Sequence, residues 1–454
     1  MKRSVNLLEG PIFPALTKLA LPIMGTSLVQ MAYNMIDMIW IGRVGSNAVA
    51  AVGAAGMYMW LSNGVATLSR MGGQIKVAHS LGAKDEESAA QYARTALQLG
   101  IITGLLYGLV AVLLNGPLID FFNLNSPQVI ADARVYLVIT CGMTVFNFVN
   151  SILTGIVTAM GNSQTPFAAT CIGLVLNIIL DPVLIFGIGP FPVMGVAGAA
   201  LATVIAQVVV TLSFVYAIGR DTVIFDKIRL WTRPSVDHMR TIVKIGVPMC
   251  IQSLIFTGIS MVIARIIAGW GDAAVAVQKV GSQIESICWM TADGFSAAVN
   301  SFVGQNYGAG NIKRVKKGYR TAVSVAVIWG IICTAILILL PQYIFGIFIP
   351  EADIIPLGVD YLRILGVSQL FMCMEIMTSG AFSGMGRTMP PAVESIVLTV
   401  ARIPMALALS ATVMGLNGIW WSITISSILK GIVLVTWFLI FFKRMERRAA
   451  HSQN

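Results

Sequence analysis

Two carboxyl groups, Asp37 and Asp181, stand in apolar stretches where an acid is costly. Asp37 lies within residues 17–45, a run apolar enough to span a bilayer. A charged carboxylate in hydrocarbon costs ~2.5–3.5 kcal/mol on insertion scales, so it must face other helices or a water-filled cavity. Thr26, Gln30, Tyr33/Asn34 and Asp37 recur at helical spacing and form one polar face. Asn177 and Asp181 are one turn apart, and Pro182 follows at once. Pro22 removes a backbone hydrogen bond near the start of the first run, which predicts a bend there. By position in their runs both acids sit roughly 6–9 Å below the outer boundary, at ~1.5 Å of rise per residue. Two acids at one depth in a low-dielectric site cannot both stay charged cheaply, so a proton or a cation is expected to bind. Pro182 also leaves a carbonyl one turn earlier, near Ile178, as a further oxygen ligand. The competing reading is a satisfied structural pair near the ends of its helices; the cost of intramembrane acids favours the functional one.

Those residues need membrane-spanning helices to hold them, and the composition supplies them. The chain of 454 residues is 57% hydrophobic and 11% charged, with mean hydropathy +0.82; soluble domains carry about 25% charged residues. Spans fall at roughly 16–41, 48–77, 92–114, 132–158, 164–187, 194–218, 241–268, 274–303, 318–341, 358–384, 391–414 and 417–442. The fold class expected is an all-α polytopic membrane protein of twelve helices. A net charge of +10 is explained by loop position, with no need of a nucleic-acid partner. Loops after even-numbered spans hold Lys84; Arg220, Lys227, Arg229, Arg233 and Arg240; and Lys313, Arg314, Lys316, Lys317 and Arg320. Lys2, Arg3, Lys443, Arg444, Arg447 and Arg448 flank the ends. The opposite loops are mainly acidic (Asp120, Asp132, Asp272, Glu351, Asp353), with isolated Arg43 and Arg134. This asymmetry places both termini in the cytoplasm of a multi-pass cell-membrane protein. No cleavable leader is expected, since the first apolar run is long enough to span.

The chain repeats itself. A shift of 226 lays Lys18, Pro22, Gly45, Ala48, Ala50, Ala66, Gly82-Ala83 and Arg94-Thr95-Ala96 on Lys244, Pro248, Gly271, Ala274, Ala276, Ala292, Gly308-Ala309 and Arg320-Thr321-Ala322. A shift of 225 then lays Gly155, Gly161 and Pro166 on Gly380, Gly386 and Pro391. Six spans per half make parallel repeats, the plan of many alternating-access transporters, although channels repeat too. The expected division is an N-lobe (1–219, spans 1–6), a cytoplasmic linker (220–240), a C-lobe (241–442, spans 7–12) and a basic tail (443–454).

The fourth span adds a stripe of Thr140, Thr144, Asn147, Asn150/Ser151, Thr154 and Thr158. The second half does not copy the acids: Asp37 maps to Ile263 and Asp181 to Ala406, while Asn150 maps to Glu375 and Asn177 to Arg402. Glu285, Asp293 and Lys279 lie in the eighth span and Glu394 in the eleventh. The expectation is that Arg402 neutralises Glu375 or Glu285, a built-in cation where the first half binds an exchangeable one. An ordinary ion-pair network setting helix register is the competing reading.

Six cysteines lie in apolar spans without a CxxC pair and read as small buried hydrophobes. Three histidines without a partner at helical spacing predict no metal centre. Met24, Met31, Met35 and Met38 flank the first polar stripe and suit a pliable pocket, but Met is also an ordinary lipid-facing residue, and most of the 23 are expected to contact lipid. Trp289 and Trp420-Trp421 read as packing or interface anchors. No nucleophile–base pair, metal cluster or phosphate loop stands in the loops, so no catalytic residues and no enzyme activity are expected.

The first-span sequence LPIMGTSLVQMAYNMIDMIWIGRVG, the loops SLGAKD and YGAGN, and NIILDP in the fifth span resemble the multidrug and toxic compound extrusion (MATE) family over nearly the whole chain. Asp37 with Asn177 and Asp181 is similar to its DinF-like branch. The resemblance implies a V-shaped transporter exporting lipophilic, often cationic compounds in exchange for a proton or sodium ion, with no other cofactor. It implies a coupling group of Asp37, Asn177, Asp181 and Thr203, a cavity lined by Gln30, Met31, Tyr33, Asn34 and Asn150, and a bend at Pro22. NorM-like members carry an acid in the seventh span. This chain has Gln252, Ser253, Thr257 and Ser260 there, which disfavours a sodium site in the second half, although Glu375 resembles that branch's other acid.

The resulting expectation is a monomeric antiporter in the lipid bilayer. Ionised Asp37 attracts a cationic drug; protonation from outside frees its partners, lets the first helix bend at Pro22 and displaces the drug. A lipid-linked sugar flippase of the same superfamily would need a cationic lining, whereas the first-half stripe is neutral and acidic. A channel or structural membrane protein would show no dependence on a cation gradient.

Overall fold

The computed structural model describes residues 5–122, 124, 126–219, 224–348 and 352–451; Lys2, Arg3, Arg220 and Glu351 lie outside the described residues. Apart from one 3-10 turn, Phe225–Lys227, all regular structure among them is α-helical. The first half contains α1 (Ile12–Val44), α2 (Ser46–Gly82), α3 (Glu86–Leu113), α4 (Asn115–Asp120), α5 (Pro127–Gly142), α6 (Val145–Ala159), α7 (Gln164–Phe186) and α8 (Val196–Ile218). The second contains α9 (Val236–Ala268), α10 (Asp272–Gly308), α11 (Ile312–Leu339), α12 (Pro341–Phe348), α13 (Ile355–Gly366), α14 (Gln369–Gly384), α15 (Met389–Val400), α16 (Arg402–Ser410) and α17 (Leu416–His451).

The internal repeat is visible in helix lengths. α1 and α9 have 33 residues each, α2 and α10 have 37, and α3 and α11 have 28. Among the described residues, eight spans are long and apolar enough to cross a membrane, and two more are helix pairs, α5–α6 and α13–α14, bent by 44° and 45°. α2 and α10 complete the twelve. They are the more polar spans and turn Ser62, Thr67, Gln74, Ser296, Asn300 and Asn306 into the protein.

The fourth and tenth spans are therefore broken where continuous helices were expected. Gly142 and Gly366 end the first member of each pair. A Cβ on Gly108 of α3 would meet the Gly142 carbonyl at 2.9 Å, so α3 passes directly against the first break. The polar stripe of the fourth span is consequently split, with Thr140 on α5 and Asn147 to Thr158 on α6. The eleventh span divides at Ala401, between α15 and α16.

The chain forms two compact units. One comprises Met1–Gly10, Lys18–Cys250 and Gly304–Gly310; the other comprises Pro11–Thr17, Ile251–Val303 and Asn311–Asn454. In the first unit, the link after α8 is tied to α3. Gln98 Nε2 donates to the carbonyls of Leu230 (2.7 Å) and Thr232 (2.8 Å), and Lys227 pairs with Glu86 at 2.9 Å. Arg134, one of two basic exceptions among the acidic loops, pairs with Asp120 at 2.9 Å. α17 runs on through Phe442 to His451, so most of the basic tail continues the last helix.

Candidate functional site

The first unit has an apolar core that gathers Ile41 of α1, Ala48 to Ala55 of α2, Ala111 of α3, Tyr136 and Cys141 of α5, Ile185 of α7 and Ala199 of α8. Asp37 is one turn before Ile41, and Asp181 is one turn before Ile185. Thr203 is one turn after Ala199. Packing of that core fixes the rotation of α1, α7 and α8, and so aims the polar residues one turn away toward each other. Trp40 stacks edge-on to Phe186 with ring centroids 6.2 Å apart, a second clamp between α1 and α7. Gly198 lets α8 approach the Leu184 carbonyl of α7; a Cβ there would meet it at 2.5 Å.

Asn177 and Asp181 are fully buried, and Asn177 Nδ2 donates to Asp181 Oδ1 at 3.1 Å. The remaining oxygens are orphaned: Asp181 Oδ2, Asn177 Oδ1, Asp37 Oδ1 and Thr203 Oγ1 are sealed from solvent and bond to no protein donor. Asp37 lies within electrostatic reach of Asp181. Tyr33 stands beside Thr203, short of a well-formed hydrogen bond, and feels both carboxyl groups. Tyr136 of α5 feels the same two acids and Tyr33. The structure thus brings Tyr33, Asp37, Asn177, Asp181 and Thr203 together from α1, α7 and α8. Hard oxygen ligands of this kind suit a proton or a small hard cation.

α1 runs on to Val44 and α7 stops at Phe186, so Asp37 lies seven residues and Asp181 five residues before its helix end, against about four and six by sequence. α1 is helical through Pro22, whose carbonyl accepts from Thr26 Oγ1 at 2.9 Å. Gln30 and Asn34 are exposed, and Met31 is half-buried. Asn150 is engaged by α8: its Nδ2 donates to the Gln207 carbonyl at 3.0 Å and its Oδ1 accepts from Thr211 at 2.8 Å.

The second unit replaces the acids with core. Ile263 and Ala406, the counterparts of Asp37 and Asp181, lie in its apolar cluster with Tyr361 and Trp420. Arg402, expected to neutralise Glu375 or Glu285, makes its hydrogen bonds to serines. Arg402 Nε donates to Ser426 at 3.0 Å and Nη2 to Ser427 at 3.2 Å. No ion pair joins it to either acid within 4.0 Å among the described residues, although it remains within their electrostatic reach. Serine hydroxyls on the adjacent α17 satisfy its donors first. The four-carbon reach of Lys430, buried in the middle of α17, brings a second cation to this cluster. Sequence reasoning missed it, though a lysine at the centre of an apolar span is itself the signal. Cys288 and Cys373 also come together, with their Sγ atoms 3.6 Å apart.

Comparison with known proteins follows the same division. The MatE family model matches residues 22–183 and 248–408, one match per half. A probable multidrug resistance protein NorM of Thermotoga maritima is 28% identical over 442 residues, covering 97% of this chain and 94% of that protein. The multidrug export protein MepA of Staphylococcus aureus is 24% identical over 422 residues, covering 92% and 91%. A crystal structure of MATE in the bent conformation superposes with a TM-score of 0.91 at 26% identity, covering 98% of this chain and 99% of that one. Two matched repeats, near-complete coverage and a common helical architecture place the chain in the MatE family.

Proposed function

We propose that this chain is a secondary active multidrug efflux transporter that exports lipophilic, often cationic compounds in exchange for a proton or sodium ion. The observation that carries the reading is the convergence of four orphaned oxygens, from Asp37, Asn177, Asp181 and Thr203, inside the first unit. Buried polar atoms without partners are costly, and binding of a positive charge would relieve them together. The relatives named for multidrug resistance and export support the substrate class. Asp37, Asn177, Asp181 and Thr203 are the proposed coupling group, which would place the chain near the DinF-like branch. Gln30, Met31, Tyr33, Asn34 and Asn150 are the proposed cavity residues.

In this mechanism residues 1–219 and 241–442 act as two lobes joined by 220–240, with both termini in the cytoplasm of the cell membrane and the chain working as a monomer. Charge at Asp37 decides between drug and coupling ion. Ionised, it draws a cationic compound into the cavity. Neutralised, it loses that attraction, and α1 bends at Pro22, where the Lys18 carbonyl has no helical donor to hold it. The two ligands must prefer different states for exchange to occur. Efflux by purified protein in liposomes, with proton and sodium gradients imposed separately, tests the proposal. Drug movement driven by one gradient is the expected result; movement indifferent to both overturns it.

A further inference from the structure

The second unit holds a charged cluster that the coupling site does not use. Lys430 of α17 is only 3% exposed, and its Nζ donates to Ser395 Oγ on α15 at 3.0 Å. The residue beside that serine, Glu394, is 4% exposed, and neither of its carboxyl oxygens bonds to a protein donor. Glu394 is attracted by Lys430 and repelled by Glu375 of α14, and Lys430 itself feels Glu375 more strongly than Glu394. Arg402 of α16 commits donors to Ser426 and Ser427. Phe256 of α9 presents its ring to both cations, with Arg402 Cζ at 5.8 Å and Lys430 Nζ at 5.9 Å.

We propose that Lys430 is a tethered cation for Glu394, its ammonium moving between Ser395 Oγ and the Glu394 carboxylate in place of a diffusible ion. An ammonium has three donors, and only one is committed to Ser395. A flexible four-carbon stem reaches either of two adjacent residues by rotation alone. Glu394 offers two unused acceptor oxygens in a site closed to solvent. Arg402, held by two serines, is fixed where Lys430 is mobile. The second unit then carries its own charge, and the exchangeable ion binds in the first unit only. That last consequence rests on the coupling site proposed above; the pairing of Lys430 with Glu394 does not.

Removing the ammonium strands a buried carboxylate, which must then recruit a proton or a small monovalent cation. The test is thermal unfolding of the full chain in detergent, with sodium titrated against choline at constant ionic strength and at acid and neutral pH. Wild type and Glu394→Gln are expected to respond alike. Lys430→Met is expected to gain a saturable stabilisation by sodium or by acid, a few degrees in Tm, and the gain is expected to vanish in Lys430→Met/Glu394→Gln. A smaller ion response in Glu394→Gln than in wild type overturns the proposal, because Glu394 would then be an exchangeable site. So does a Lys430→Met variant that folds and gains nothing. Should Lys430→Met fail to fold, rescue by the added Glu394→Gln supports the pairing, and failure of both variants overturns it. Repeating the series in Asp37→Asn separates this result from the first-unit site.

Discussion

Asn177 donates to Asp181 across one turn of α7, at 3.1 Å, with both side chains fully buried. This bond settles which way the amide points. Its nitrogen is used on the acid, so its oxygen is presented as an acceptor, alongside the second oxygen of Asp181. One helix therefore offers two buried acceptors, and α1 and α8 add Asp37 Oδ1 and Thr203 Oγ1.

Replacing Asp37 by Asn removes the charge while keeping the shape. Drug resistance in cells and proton- or sodium-driven efflux in liposomes are expected to be lost. Folding, followed by size-exclusion profile and melting temperature, is expected to be unchanged, since Asp37 Oδ1 holds no protein hydrogen bond to lose. Normal coupled efflux by this variant would sink the assignment.

Arg402→Ala tests a different link, from packing to stability. The guanidinium bonds two serines of α17 in a buried setting. Hydrogen bonds to a charged group are worth about 1.5–3 kcal/mol each, so the loss is expected to be about 3 kcal/mol or more, read as a lower melting temperature. Transport by the surviving folded protein is expected to keep its ion preference. A new ion requirement would instead make Arg402 the mobile cation of the second unit.

Gly82→Ala and Gly308→Ala probe a reciprocal contact. A methyl on Gly82 would overlap the Gln305 carbonyl, and a methyl on Gly308 would overlap the His79 carbonyl. Both obstacles are backbone, so neither can swing aside. Overpacking of about 1–3 kcal/mol is expected to outweigh the better helix propensity of alanine, worth about 1 kcal/mol. Gly53→Ala, with open space around its Cβ, is the matched control and is expected to melt no lower than wild type. A Gly82→Ala protein as stable as wild type would refute the close approach.

Asp85 caps α3 outside the membrane-spanning region. Its carboxylate accepts from the Ser88 backbone N–H at 3.0 Å and from the Ser88 hydroxyl at 2.7 Å, and these bonds hold its pKa below the ordinary value. A depressed folded pKa means stabilisation present above the unfolded value, about 3.9, and lost as pH falls through the folded one. Asp85→Asn or Asp85→Ala is expected to lower the melting temperature slightly at neutral pH, with the difference from wild type closing in acid. A difference that widens in acid would show the cap is not the cause.

Much was written in the chain itself. Hydropathy and the 226-residue repeat define twelve spans, because each must satisfy its own backbone in lipid and each half must bury the same faces. Asp37, Asn177 and Asp181 stand out because acids and amides in apolar runs are costly. The bends after Gly142 and Gly366 are not readable from composition; a Cβ on either glycine would crowd a side chain of the neighbouring α3 or α11, at 3.1 and 3.0 Å. Which acceptors Arg402 finds was decided by the rotation of α17, a matter of packing between helices. The same packing brought Lys430 to Ser395, beside Glu394, so the partners of a buried charge emerged only when the helices were in place.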